Sequence, residues 1–300
     1  MDSDIIKTLC YADIFNAGLT LPEIYRYLIS KKKYSYSRVE KSVEKMVASH
    51  KIFSAKSPKT SPQKKVYWLE KDGSKHKSHF SRLVFSRNKL NKTRNSILKL
   101  SKIPTIQAIY ITGSLSRMNA KLKDDVDIMI VCKKNTLWQT RILVTVFLDM
   151  IGKRRKPEDQ HTGREVKDKI CPNLYLAETA LTVPLAYQNL YTAHEVVQAQ
   201  VVFDRSSITT EFLTENSWVR DYLPHSPLPS HRRKKQTYPD SFTQIFFTSQ
   251  VESACFGLQK LYMHSKRTRE VVERDKAYFH PRDTSKTIMT EYKQRLDKYL

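Results

Sequence analysis

Asp125 and Asp127 stand one residue apart in the stretch Asp124-Asp-Val-Asp-Ile-Met-Ile-Val131. Side chains alternate along an extended strand, so these two carboxylates share a face while Val126 and Ile128 turn towards the core. A pair of this kind suits divalent cations, because Mg2+ takes hard oxygen ligands from a few carboxylates and from substrate phosphates. Two such ions can activate an attacking oxygen and neutralise a departing pyrophosphate in an in-line displacement. Asp124 is expected on the opposite face as a solvated neighbour. Upstream, Ile109-Tyr-Ile-Thr-Gly-Ser-Leu-Ser-Arg117 reads as a short apolar strand running into Gly113-Ser114. Glycine there lets the backbone turn tightly and approach a phosphate closely. Ser114 would open a short helix whose free N–H groups favour an anion. Each half is common alone; in this order, each beside an apolar run, they form a specific combination. The competing reading is an acidic loop before a core strand.

The elements that must position these residues alternate between strand and helix. After strand Asp125–Val131 come a helix from Leu137 to Ile151, a polar loop and a strand from Lys169 to Glu178. A helix from Tyr191 to Gln200 and a closing strand from Val201 to Arg205 follow. The first third reads as three helices and two strands. Ile5, Ile6, Leu9, Ala12 and Ile14 give helical spacing, and Gly18 suits a left-handed cap. Thr20 precedes Leu21-Pro22-Glu23 as an N-cap with Pro in the first turn. Ser37 and Glu40 form a capping box for helix 37–49. Ile52–Ala55 and Val66–Leu69 are the strands, around a loop rich in Lys, Ser and Pro. Lys71 to Lys102 is a basic, helix-compatible connector. Beyond Thr209 the chain reads as helical, interrupted by a basic linker from His225 to Tyr238. The expected class is α+β, with segments 1–75, 76–100, 101–206 and 207–300. These are an N-terminal winged helix, a helical connector, a central α/β domain with a small mixed sheet, and a helical C-terminal region.

A strand, Gly-Ser, a gap of about ten residues, then Asp-hydrophobic-Asp-hydrophobic resembles the polymerase-beta-type nucleotidyltransferase superfamily, over roughly residues 100–205. The resemblance implies that Gly113 and Ser114 hold a nucleoside triphosphate, ATP foremost, and that Asp125 and Asp127 bind Mg2+ and act catalytically. The chain would then transfer a nucleoside monophosphate to an acceptor hydroxyl that the sequence does not name. The superfamily usually has a third carboxylate on a later strand. Here the centre of strand 169–178 offers Asn173, and Glu178 lies at its end. Either Glu178 is the third catalytic acid, or Asn173 is a neutral replacement that weakens activity. Helix 37–49 with its hairpin resembles a winged helix, which implies a DNA groove reader with Lys56–Lys65 as basic wing, or else a packing module. His194-Glu195 reads as a structural pair. The alternative function is a catalytically weak or inactive relative acting as a nucleic-acid-binding regulator or a toxin–antitoxin component.

Composition bounds these readings. Over 300 residues the formal net charge is +23, which favours a polyanionic partner such as nucleic acid or nucleotide phosphate. Cys10, Cys132, Cys171 and Cys255 are scattered without metal-ligand spacing, so neither a disulfide framework nor a zinc site is expected. The first residues lack the basic start of a signal peptide, and Leu137–Ile151 is too short and too charged to span a bilayer. A cytoplasmic protein without a membrane partner is expected.

Overall fold

Helix α1, Asp2–Ile14, buries Ile5, Leu9 and Ala12 along one stripe. Asn16, at φ 50°, takes the left-handed position after the helix that Gly18 was expected to fill. Gly18 has another reason: a Cβ there would lie 2.5 Å from the Trp68 ring. The computed structural model describes residues 1–56, 64–156, 159, 165–205, 207–227, 249–264, 271–279 and 284–300. Strand β1, Leu19–Thr20, leads into α2, Leu21–Arg26. The Thr20 amide and hydroxyl donate to Glu23 Oε2 at 2.8 and 2.6 Å, fastening the helix start. Helix α3, Tyr36–Ala48, buries Val39, Val43 and Met46, and its N-cap is Ser35 rather than Ser37. Strands β2, Phe53–Lys56, and β3, Lys65–Trp68, pair antiparallel, and β1 adds to β3 as a third strand. The expected basic wing falls, over residues 57–63, outside the described residues.

The basic connector is one continuous helix, α4, Gly73–Leu100. Asp72 caps it, accepting from the Ser74 and Lys75 amides at 2.8 and 3.3 Å. Its face is not purely apolar, for Lys89 is 2 % exposed.

The larger sheet contains β4 Ile106–Ile111, β5 Val126–Cys132, β6 Ile170–Ala177, β7 Gln200–Asp204, β8 Val271–Val272 and β9 Lys276–Tyr278. Their order is β7-β4-β5-β6-β9-β8. Only β5 and β6 run parallel among the paired strands, and a parallel neighbour requires a crossover. Helix α6, Leu137–Met150, supplies it. Ile128, Ile130 and Cys132 of β5 face Leu137, Val144 and Leu148 of α6 in one core. Met129 and Val131 face the other way, towards α7, Leu190–Gln198, and α8, Ile208–Glu215. Between β4 and β5 lies the four-residue helix α5, Gly113–Ser116.

Residues 207–300 are not helical throughout. Helices α9, Ser249–His264, and α10, Thr284–Tyr299, flank a hairpin, Val271–Tyr278, that extends the sheet beyond β6. Strands of two and three residues carry too little alternation to be read from sequence. Most of the expected linker 225–238 lies outside the described residues. Helix α10 returns to the N-terminus, where Arg295 Nε meets Asp13 Oδ2 at 2.9 Å. One hydrophobic cluster runs from α1–α3 through α7 and α8 to α10. The class is therefore mixed α+β, with ten α-helices among the described residues, a six-stranded mixed sheet and a three-stranded one. No described helix is long and apolar enough to cross a membrane.

Candidate functional site

The site assembles where β4 ends and β5 begins. Thr112 N donates to Asp127 O at 3.0 Å, which closes the turn out of β4 against the start of β5. Gly113 has φ +64°, and a Cβ on it would stand 2.6 Å from Asp127 Oδ2. Only glycine accepts both the backbone angle and that approach. Asp127 is the second residue of β5 and turns to the α7 side, while Val126 and Ile128 are fully buried on the other. Asp125 precedes the strand, and each carboxylate brings an oxygen within 4.8 Å of the other and of Cys171 Sγ.

Asp124 is not the free-standing neighbour expected. Its Oδ2 accepts from the Lys121 amide at 2.8 Å and from the Ser114 hydroxyl at 3.3 Å, holding α5 to the loop. From beneath, Lys89 Nζ donates to Leu122 O, Asp124 O and Asp168 Oδ1 at 3.0, 2.6 and 2.9 Å. Three acceptors satisfy all three ammonium protons, which is how a lysine tolerates burial. The connector helix thus braces the loop that carries the acids.

Strand β6 lies beside β5, with Asp127 opposite Cys171 and Ile128 opposite Pro172, but Met129 opposite Leu174. Asn173 is the extra residue of a bulge, and such a bulge re-aims its side chain. Asn173 Nδ2 donates to Asp127 Oδ1 at 2.5 Å, while its Oδ1 is buried without a partner among the described residues. Glu178 is elsewhere. Its amide bonds Cys132 O at the far end of β5, roughly 16 Å along the strand from Asp127 at about 3.3 Å per residue. The register therefore brings Asn173, and not Glu178, to the acid pair. No family model, curated protein or solved structure matches the chain.

Residues outside the motifs complete the geometry. Arg155 Nε lies 2.8 Å from Asp125 Oδ2, and its Nη1 is 3.4 Å from Cys171 Sγ. Pairing of the Lys153–Arg155 segment with Ile170 sets it there: Arg155 N donates to Ile170 O at 2.9 Å. An arginine in a polar loop carries no periodic signal, and sequence reading passed over it. His194 and Glu195 do not pair with each other. His194 stacks on Tyr11 at 4.0 Å, whereas Glu195 lies 3.3 Å from Arg117 Nη1 and adds negative potential at Asp127.

Burial, then the neighbouring Asp125, pushes the Asp127 carboxyl up to about 8, although Arg155 opposes the shift. Burial also raises Asp125. Two close carboxylates at the edge of a core resist double ionisation. Burial and Asp127 push the Cys171 thiol up to about 12, so it is a neutral neighbour. Asp125, balanced by Arg155, the buried Asp127 and the unpartnered Asn173 Oδ1 together form a set of hard oxygen donors. Such a set fits a hard divalent cation. The thiol is a softer donor, and the ligand through which Zn2+ would compete.

Proposed function

We propose that the chain is a Mg2+-dependent nucleotidyltransferase that moves a nucleoside monophosphate from a nucleoside triphosphate, ATP foremost, to an acceptor hydroxyl. The observation that carries this reading is the contact of Gly113 with Asp127. It sets a tight glycine turn, the usual cradle for a phosphate, directly against a carboxylate whose charge is disfavoured by burial and by the neighbouring Asp125. Asp125 and Asp127 would hold the metal with Asn173 Oδ1 as a neutral third ligand, and the ion would neutralise charge on the triphosphate. The backbone at Gly113–Ser114 faces the phosphates, and Asp124 keeps the Ser114 hydroxyl oriented. Arg155 balances Asp125 while no cation is bound and is a second positive group for the phosphates. Each turnover breaks the bond between the α- and β-phosphates and the acceptor O–H bond, forms an ester with the acceptor oxygen, and releases pyrophosphate and a proton.

The experiment incubates the protein and Mg2+ with α-labelled ATP in the presence of RNA, protein and small-molecule hydroxyl acceptors. Label transfer to one class with stoichiometric pyrophosphate, abolished by a chelator, is expected. No transfer to any of them would favour a second reading, a catalytically weak or inactive relative acting as a nucleic-acid-binding regulator. Asn173 at the third-acid position and the guanidinium already on Asp125 are what support that reading.

Asn173→Asp is informative for both. A third negative oxygen beside Asp127 should tighten Mg2+ binding at pH 8 by at least about tenfold, and lower the melting temperature of the metal-free protein. Unchanged affinity would remove Asn173 from the cation's neighbourhood.

A further inference from the structure

The N-terminal module, α4, α7 and the Ser116–Asn119 segment enclose a cavity of about 700 Å3. Neither Asp125 nor Asp127 lines it. That volume is typical of sites for small organic ligands. One wall is aromatic: the Tyr11 and His194 rings are stacked with a 10° interplanar angle, and Phe15, Tyr27 and Tyr67 join them. The charge is one-sided. Lys64, Lys65, Arg87 and Arg117 line the cavity against a single acid, Glu23, and that acid is engaged by Thr20. Glu195, from outside the lining, pairs with Arg117.

The same walls hold polar atoms with no partner among the described residues: the Tyr11 hydroxyl, Gln198 Oε1 and both ring nitrogens of His194. His194 is 3 % exposed, and burial pushes its pKa down to about 3. Its neutral ring therefore has one donor and one acceptor unused. These atoms are closed off from solvent, so a ligand would reach them by side-chain rotation. Interiors rarely leave several such groups unmatched, and a group of them around one cavity marks a place for an occupant.

We propose that this cavity binds a small planar organic anion, an aromatic or heteroaromatic ring carrying a phosphate or carboxylate. The ring packs against the Tyr11–His194 wall and uses its free donors and acceptors. The anionic group meets Lys65 and Arg87 at the rim. The proposal stands independently of nucleotidyl transfer.

The test uses the full-length Asp125→Asn/Asp127→Asn protein in a chelating buffer, which removes the acid pair as a competing site. AMP and anthranilate are titrated as planar anions carrying a phosphate and a carboxylate, with adenosine as the uncharged control. One-to-one binding of at least one anion is expected, weakened roughly tenfold or more by Arg87→Glu and by Lys65→Glu, and weakened by salt. Both residues are exposed, so these variants should keep the parent's melting temperature. Absence of binding by both anions, equal binding of AMP and adenosine, or indifference to both charge reversals would each overturn the proposal.

Discussion

Asp127→Asn is expected to lower nucleotidyl transfer by at least about a thousandfold, while raising the stability of the metal-free protein at pH 8. The two effects have one origin. Asp127 is held in a pocket that disfavours its charge, with burial first and Asp125 second. A cation that needs the ionised form loses one of two anionic ligands in the variant, and developing negative charge on the phosphates goes uncompensated. Asparagine can still accept from Asn173 Nδ2 through its amide oxygen, so the bond that now runs to Asp127 Oδ1 is kept in kind. The unfavourable carboxylate disappears without leaving a cavity. Thermal denaturation in a chelating buffer and a pyrophosphate-release assay read the two effects separately. Retained turnover would place the chemistry elsewhere; a marked loss of stability would show that the carboxylate is a structural ion.

The second large effect is on pH. Mg2+ affinity should climb about tenfold per pH unit from pH 6 towards pH 8 and then level off, because binding must displace the proton held at Asp127. The sign for stability is opposite. The folded carboxyl titrates near 8 and the unfolded one near 3.8, so between those values the folded state binds more protons. The contribution of Asp127 to metal-free stability therefore falls as pH rises from about 4 to about 8, and is constant outside that window. Raised Asp125 acts in the same direction. Saturating Mg2+ should offset the loss, so the gap in melting temperature between Mg2+ and chelator widens with pH. An affinity that stays flat from pH 6 to 8 would mean that no proton is displaced by the metal.

The strand pattern brought out Asp127, which lies on β5 among apolar, buried residues, whereas Asp125 falls just before the strand that was expected to include it. The partners of the pair were legible only in part. Asn173 reaches Asp127 through a bulge beside Pro172, and a one-residue shift in pairing leaves no mark on composition or periodicity. Glu178 was a candidate because it is the acid at the end of that strand. Parallel pairing of β6 with β5 instead fixes it beside Cys132, at the wrong end. Arg155 and Lys89 come from a loop and from a basic helix face, where charge ordinarily means solvent; only tertiary contacts distinguish them. Gly18 shows the same limit at the level of backbone. A glycine after a helix suggests a left-handed cap, but Asn16 makes that turn and Gly18 makes room for Trp68. The hairpin 271–278 was hidden because its strands draw their place from β6 rather than from their own pattern.

The most direct measurement is calorimetric titration of ATP with Mg2+ into the wild-type protein and into the Asp125→Asn/Asp127→Asn variant. A Mg2+-dependent binding component that is present in the wild type and absent from the variant, with both proteins folded, is the predicted result. Equal metal-dependent binding by the two proteins, or none by either, would contradict a metal–nucleotide site at Asp125 and Asp127.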